Sequence, residues 1–414
     1  MKPKNLILII AFMLTTACVQ DHEIITSKIH YAQPQQEFAK PFETFINSCH
    51  NTRDNSFTFP ESYGGAYLSS SGDFIVNTTD ISDENQQYLS ELINIDGIIF
   101  NTCSYSYNQL LSVKQEIDNY LINNSGTIKL NNIKSAYIDI CENNVIVTLK
   151  NCSPSHISEF KANICNSDTI KFIQSELQTK DNLSDNTSKI CKVSTRTAIG
   201  DQTLNLSTGM CLCDDVTNPD SLTFSSIAYR ARLYNGTNGF VTSANIATSY
   251  NCNAYYYFNG VKHLAGSCVV RQSSNNINAA FYQFTGSSLS NILPYNGYTC
   301  TYSTTTPPQP AAFTPNTTVA FYGTKTLELN NGEPSKSVIV GNNCTIVGYG
   351  NITYTGLAMS RYSTQESADC GGLVAGLESS RVLRVYGIHL IRDGINSYFI
   401  PAYNINQAFG LTIY

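Results

Sequence analysis

The chain carries fourteen cysteines, each a candidate thiol nucleophile, and six histidines, the side chains best suited to act as a base beside one. A thiol with a pKa near ~8.5 is only a few per cent thiolate at neutral pH, so efficient attack calls for a partner that takes the proton. Cys370 stands in Ser367-Ala368-Asp369-Cys370-Gly371-Gly372-Leu373-Val374, and His389 follows in Val385-Tyr386-Gly387-Ile388-His389-Leu390. His22, His30, His50 and His156 lie in the first half of the chain. His263 comes eighteen residues after Asn245 and reads as a surface residue of a hairpin turn. His389 has two readings, a partly buried strand histidine bonded to backbone or the lining of a pocket. Cys211-Leu212-Cys213 has the look of a metal pair, but no Cys or His pair at zinc-like spacing accompanies it. Neither a metal nor another cofactor is expected.

The setting of these thiols follows from the rest of the chain. Lys2 and Lys4, the apolar run Leu6 to Leu14, and Leu14-Thr15-Thr16-Ala17-Cys18 have the three-part layout of a bacterial export signal. Cleavage after Ala17 and lipidation of Cys18, as in a lipobox, both fit, and a lipid on Cys18 would be the protein's one link to a membrane. An extracytoplasmic location follows, periplasmic, on the outer membrane or secreted, where cysteines pair. With Cys18 and Cys370 set aside, Cys49, Cys103, Cys141, Cys152, Cys165 and Cys191 form one set of six, and Cys211, Cys213, Cys252, Cys268, Cys300 and Cys344 another. Each set is expected to close three bridges, with connectivity open. Charged residues are 14% of the chain and the net charge is −6 without a Lys/Arg cluster, which excludes DNA and RNA as partners.

The elements that must position the chemistry divide at mid-chain. Residues 19–60 show little periodicity and read as an extended leader after the export signal at 1–18. Ala66-Tyr67-Leu68 and Asp73 to Asn77 read as strands around a Ser-Ser-Ser-Gly turn, and Ala136 to Ile140 with Val145 to Leu149 as a hairpin. Ser106 with Gln109 has capping-box spacing, and Leu110, Val113, Ile117 and Leu121 recur at helical intervals, predicting an amphipathic helix over 107–122. A polar, turn-rich stretch from Gln178 to Ser188 reads as an exposed linker. Beyond it helices nearly vanish, and Ala228 to Leu233, Gly239 to Thr242, Ala254 to Phe258, Ala279 to Phe284, Val319 to Tyr322 and Val382 to Ile391 read as strands of an all-β barrel or sandwich. Asn404 to Ile413 reads as a closing helix.

Three segments, in order, resemble the catalytic motifs of the alpha-lytic/streptogrisin branch of the chymotrypsin-like (trypsin-like) serine proteases. Asn235-Gly236-Thr237-Asn238-Gly239-Phe240-Val241-Thr242-Ser243-Ala244-Asn245 resembles Gly-Phe-Val-Thr-Ala-Gly-His, Asn278-Ala279-Ala280-Phe281 resembles the Asp-bearing strand, and Ala368-Asp369-Cys370-Gly371-Gly372 resembles Gly-Asp-Ser-Gly-Gly. Tyr63-Gly64-Gly65-Ala66-Tyr67-Leu68, Ile75 to Asp80, Tyr137-Ile138-Asp139 and Asn144 to Val147 resemble that branch's pro-region. The resemblance implies a mainly β fold, a chymotrypsin-like double β-barrel over 195–414, preceded by an α/β pro-region-like domain over 60–178 and a linker over 179–194. The disulfide that the family sets beside its histidine is expected to be missing, because its positions look like Ser225 and Ile246.

Residue by residue, the resemblance puts Asn245 at the base, Asn278 at the group that orients the base, Cys370 at the nucleophile and the Ala368 backbone in the oxyanion hole. It puts Asp369 beneath the nucleophile loop, and His389, Gly387 and Tyr386 along the substrate pocket, His389 as in picornaviral main proteases and glutamyl endopeptidases. An amide donates and accepts hydrogen bonds but is no base near neutral pH. The expected function is that of an exported pseudoprotease whose cleft holds a peptide or protein ligand. The alternative is an active endopeptidase with Cys370 as nucleophile and a Gln/Glu preference.

Overall fold

Residues 34–51, 53, 56–175, 204–214, 224–247, 249–258, 261–274, 276–364 and 369–414 are described in a computed structural model of the chain. The export signal with Cys18, the 179–194 linker, Cys191 and Ala368 lie outside the described residues.

One α-β-β-α-β pattern occurs twice in the first half. The first copy runs through the helix Pro34–Ser48, strands Tyr63–Leu68 and Phe74–Thr78, the helix Asp83–Ile93 and the strand Ile99–Thr102; the second through the helix Tyr107–Asn123, strands Ile133–Asp139 and Asn144–Leu149, the helix Pro154–Asn163 and the strand Ile170–Gln174. In both copies the first two strands are antiparallel and the last strand is parallel to the second. The helix Pro34–Ser48 corrects the extended reading of 19–60. Its Phe42, Phe45 and Ile46 are buried in the shared core at helical spacing, a face disguised in the sequence by Pro41 inside the helix. The helix expected over 107–122 is present with its capping box: Gln109 N–H donates to Ser106 Oγ and Ser106 N–H to Gln109 Oε1. Leu110, Ile117 and Leu121 are fully buried, each worth about 1.5–3 kcal/mol.

The second half is mainly β, as expected, and folds as two six-stranded barrels. In the first, Asn238–Thr242, Asn278–Phe284, Val261–Ser273, Asn253–Phe258 and Cys211–Asp214 pair in that order. A strand bent at Ile227-Ala228 closes the ring, pairing through Phe224–Ser226 at one end and Tyr229–Leu233 at the other. In the second barrel Val382–Asp393, Leu373–Ser379, Thr318–Tyr322, Ser335–Val347, Thr353–Ser360 and Asn396–Pro401 pair in sequence and return to Val382–Asp393. The closing helix is Ala402–Phe409, stopped by Gly410 in the left-handed region (φ 65°), and Leu411–Ile413 then pairs with Tyr229–Leu233 of the first barrel.

The α/β half continues the second barrel's sheet: Ile133–Asp139 pairs with Ser335–Val347 through Ala136↔Thr345 and Ser135↔Ile346. Above this seam, Lys114 sits on the apolar stripe of its helix between Leu110 and Ile117. Its Nζ donates to both oxygens of Asp118 at 2.6 Å and to Thr345 Oγ1 at 2.8 Å, and the Thr345 hydroxyl donates to Asp118 at 2.6 Å. Arg384 makes a second, bidentate contact with Glu43 at 2.7 and 3.0 Å.

The bridges expected from cysteine parity are not seen among Cys49, Cys103, Cys141, Cys152, Cys165, Cys252, Cys268, Cys300, Cys344 and Cys370, which are thiols here. Several are engaged otherwise: Cys165 Sγ donates to Glu116 Oε2 at 3.1 Å, Cys103 Sγ to Tyr105 O at 3.4 Å and Cys344 Sγ to Asn342 O at 3.6 Å. Parity counts thiols; it carries nothing about which of them the fold sets side by side.

Candidate active site

The turn carrying Cys370 is fixed from three sides. Asp369, fully buried, accepts from the N–H groups of Lys325 at 2.8 Å and Thr326 at 3.3 Å and from the Thr326 hydroxyl at 2.8 Å, capping the helix Thr324–Leu329. Gly323 admits that carboxylate, since a Cβ there would lie 2.3 Å from Asp369 Oδ1. Gly371 has φ 79°, and a Cβ on it would come within 2.6 Å of Ser225 Oγ and Ser243 N. Its N–H donates to His389 O at 2.8 Å, tying the turn to Val382–Asp393. Cys370 O accepts from Ser226 N–H and the Ser225 hydroxyl, both at 2.8 Å, which holds the turn against the first barrel. Ser225, where the resemblance places a missing disulfide cysteine, therefore does a hydrogen-bonding job instead.

Asn245 and Asn278 reach the same point from the first barrel. Asn245 Nδ2 donates to Cys370 Sγ at 3.3 Å, and Asn278 Nδ2 donates to Asn245 Oδ1 at 3.4 Å. The one S–H proton has Leu390 O at 3.3 Å and Ser243 Oγ at 3.4 Å as nearby acceptors. Ser243 also takes the Asn245 N–H at 3.1 Å and donates weakly to Asn278 Oδ1 at 3.5 Å. Tyr354, from the strand Thr353–Ser360, lies beside Asn278 and Cys370; burial raises its phenol, the Asn278 side chain pulls it back in part, and Cys370 adds to the rise. Tyr354 and Ser243 are site residues that sequence reasoning missed, because a strand tyrosine and a serine inside a longer motif carry no spacing signature.

Burial pushes the Cys370 thiol up; the Ser243 and Asn245 side chains and the Gly371 N–H pull it back in part, and the Asp369 charge adds to the rise. Among the described residues, the one side-chain nitrogen hydrogen-bonded to Cys370 Sγ is the Asn245 amide. His389 does not replace it. Its ring is buried edge-on to Phe321 and Tyr362, with Nδ1 3.0 Å from the Tyr362 hydroxyl. Burial, then the charge of Arg392, pull its imidazole down to about 3, so it is neutral through the physiological range. Tyr386 stacks on Phe313 at 5.2 Å, and Gly387 lies so close to the neighbouring strand that a Cβ would meet Ile400 O at 2.2 Å. His263 stacks on Tyr256 in the hairpin of the first barrel.

The His389 shift has a sign that can be checked. The unfolded imidazole takes its proton near 6.5 and the folded one only near 3, so the contribution is fully present above about pH 6.5 and is lost as pH falls toward 3. Urea midpoints of wild type should therefore fall between pH 7 and pH 4.5 more steeply than those of His389→Gln, which carries no titrating ring. Equal slopes would mean that the ring accepts a proton in place.

Two family patterns match the first half of the chain. The sequence pattern of a family described as a Pro-like N-terminal domain matches residues 27–103, and that of a Pro-like C-terminal domain matches 108–175. The pro-region resemblance read from the sequence is borne out by these two matches. No curated protein matches the chain in sequence. Among solved structures, the chain is similar to the Nocardiopsis protease NAPase (18% identity, 50% of this chain and 98% of that one, TM-score 0.38). It is also similar to a glutamic acid-specific serine protease described as using a histidine triad in substrate binding (18%, 50% and 100%, TM-score 0.39). A third is Thermobifida fusca Protease A (17%, 50% and 98%, TM-score 0.38).

Proposed function

We propose that this chain is an exported, catalytically impaired homologue of the trypsin-like serine proteases that uses the cleft between its barrels to bind a peptide or protein segment. The observation that carries the reading is the Asn245 amide in hydrogen-bond contact with Cys370 Sγ, at the place where a proton acceptor is required. An amide neither takes the thiol proton nor returns one to a departing amine. Losing the nucleophile or the base costs subtilisin about 10⁶ in kcat. The α/β half, joined to the second barrel by a shared sheet, by the Thr345 bonds to Lys114 and Asp118 and by the Arg384–Glu43 pair, is on this reading a permanent part of the molecule.

His389 gives the cleft its preference. In the tautomer in which Nδ1 accepts the Tyr362 O–H, the neutral ring carries its proton on Nε2, a donor suited to a side-chain carbonyl or carboxylate oxygen such as that of Gln or Glu. Gly387 and Tyr386 are the strand positions beside it. The reading is tested by peptide-array binding with Cys370→Ala, which removes any chemistry. Binding should persist with a Gln/Glu preference, and His389→Ala should abolish the preference. Absence of peptide binding by both variants would remove the binding role; equal preference in both would remove His389 from recognition.

A further inference from the structure

We propose that Cys252 and Cys268 are the partners of a disulfide that clasps the hairpin of the first barrel in the oxidised protein. Asn253 and Ser267 face each other in the ladder between Asn253–Phe258 and Val261–Ser273. At the next position outward, Cys268 N–H donates to Cys252 O at 2.8 Å while Asn251 N–H donates to Cys268 O at 2.8 Å. Asn251, at φ 64°, thus shares with Cys252 the place opposite Cys268, and the ladder bulges there. Cys268 is fully buried in the first barrel's core with Sγ 3.6 Å from Val270 O, and Cys252 packs on that core with Sγ 3.4 Å from the Tyr282 hydroxyl. Cross-strand neighbours carry their Cβ atoms roughly 4.5–5.5 Å apart and a disulfide asks for roughly 3.5–4.5 Å, so closure needs only a small approach of the two strands.

The step is a thiol–disulfide exchange. One thiolate attacks a sulfur of an incoming small-molecule or protein disulfide, releasing a thiolate and forming a mixed disulfide; the second thiolate then displaces the other half. The two cysteines lose two protons and two electrons, and the incoming disulfide leaves as two thiols. The bond would brace the strand Val261–Ser273, which pairs directly with the strand carrying Asn278 through Ser273↔Asn278. It would place the first barrel's clasp away from Ser225 and Ile246, neither of which is a cysteine.

The test uses the full chain, refolded from urea in a glutathione redox buffer so that both thiols can exchange before burial, then unfolded in urea with iodoacetamide and digested by trypsin without reduction. Unfolding before alkylation matters, because burial pushes the Cys268 thiol up to about 12 and silences it in the folded protein. Trypsin cuts after Arg232, Lys262 and Arg271, so the two cysteines fall on separate peptides, each holding a single cysteine. Mass spectrometry should find 233–262 joined to 263–271 by a loss of two hydrogens. Carboxamidomethyl groups or glutathione on both, or either peptide joined to a different cysteine, would overturn the proposal. A second readout is thermal: Cys252→Ser should melt about 5–10 °C below the oxidised wild type and level with the reduced wild type. Equal melting of variant and oxidised wild type would count against the bond.

Discussion

The triple change Asn245→His, Asn278→Asp and Cys370→Ser is expected to raise peptide hydrolysis by about 10²–10⁴ over wild type, the usual contribution of a positioned general base. Asn245 is exposed and already points Nδ2 at the sulfur from 3.3 Å, so an imidazole has room to take its place. Asn278 is buried with the Ser243 and Tyr354 hydroxyls as neighbours, and both can donate to a carboxylate set there. The serine inherits a turn held by Asp369 and by the carbonyl contacts of Cys370. Hydrolysis of a broad peptide library by wild type and triple variant decides the matter. No gain in a correctly folded variant would mean that more than the base has gone, with the Ala368 position of the oxyanion hole the first suspect.

The second large effect is expected far from the cleft. Lys114→Met should cost about 3–5 kcal/mol, because it leaves the Asp118 carboxylate and its Thr345 partner facing an apolar interface with no counter-charge. Lys114→Met combined with Asp118→Leu should recover most of that loss, since a buried pair can be exchanged for apolar groups at little net cost. Urea unfolding of the full chain measures both. Equal stability of the single variant and wild type would show that water reaches the pair and that it does not hold the two halves together.

How much of this was legible beforehand depends on whether a signal is local. The helix Tyr107–Asn123 announced itself through Ser106, Gln109 and the period of its apolar residues, and the strands Asn278–Phe284 and Val382–Asp393 through short runs between turn residues. The helix Pro34–Ser48 did not, because Pro41 masks a buried face made by Phe42, Phe45 and Ile46. The repeated α-β-β-α-β unit was invisible as well, being a repeat of topology without repeated residues. At the site, Asn245, Asn278 and Cys370 could be aligned with motifs, whereas Tyr354 and Ser243 are known only once strands far apart in the chain are brought together. Lys114 is the sharpest case: an apolar stripe interrupted by a lysine looks like a flaw until Asp118 and Thr345 are placed around its ammonium group.

The most direct test of the central claim is turnover by the unaltered protein. Hydrolysis of a broad peptide library, by wild type and by Cys370→Ala in parallel, should stay at the uncatalysed background for both, even if iodoacetamide labels Cys370, because alkylation needs a thiolate and peptide hydrolysis also needs a proton for the leaving amine. Robust wild-type turnover that disappears in Cys370→Ala would contradict the account and make the chain a cysteine peptidase.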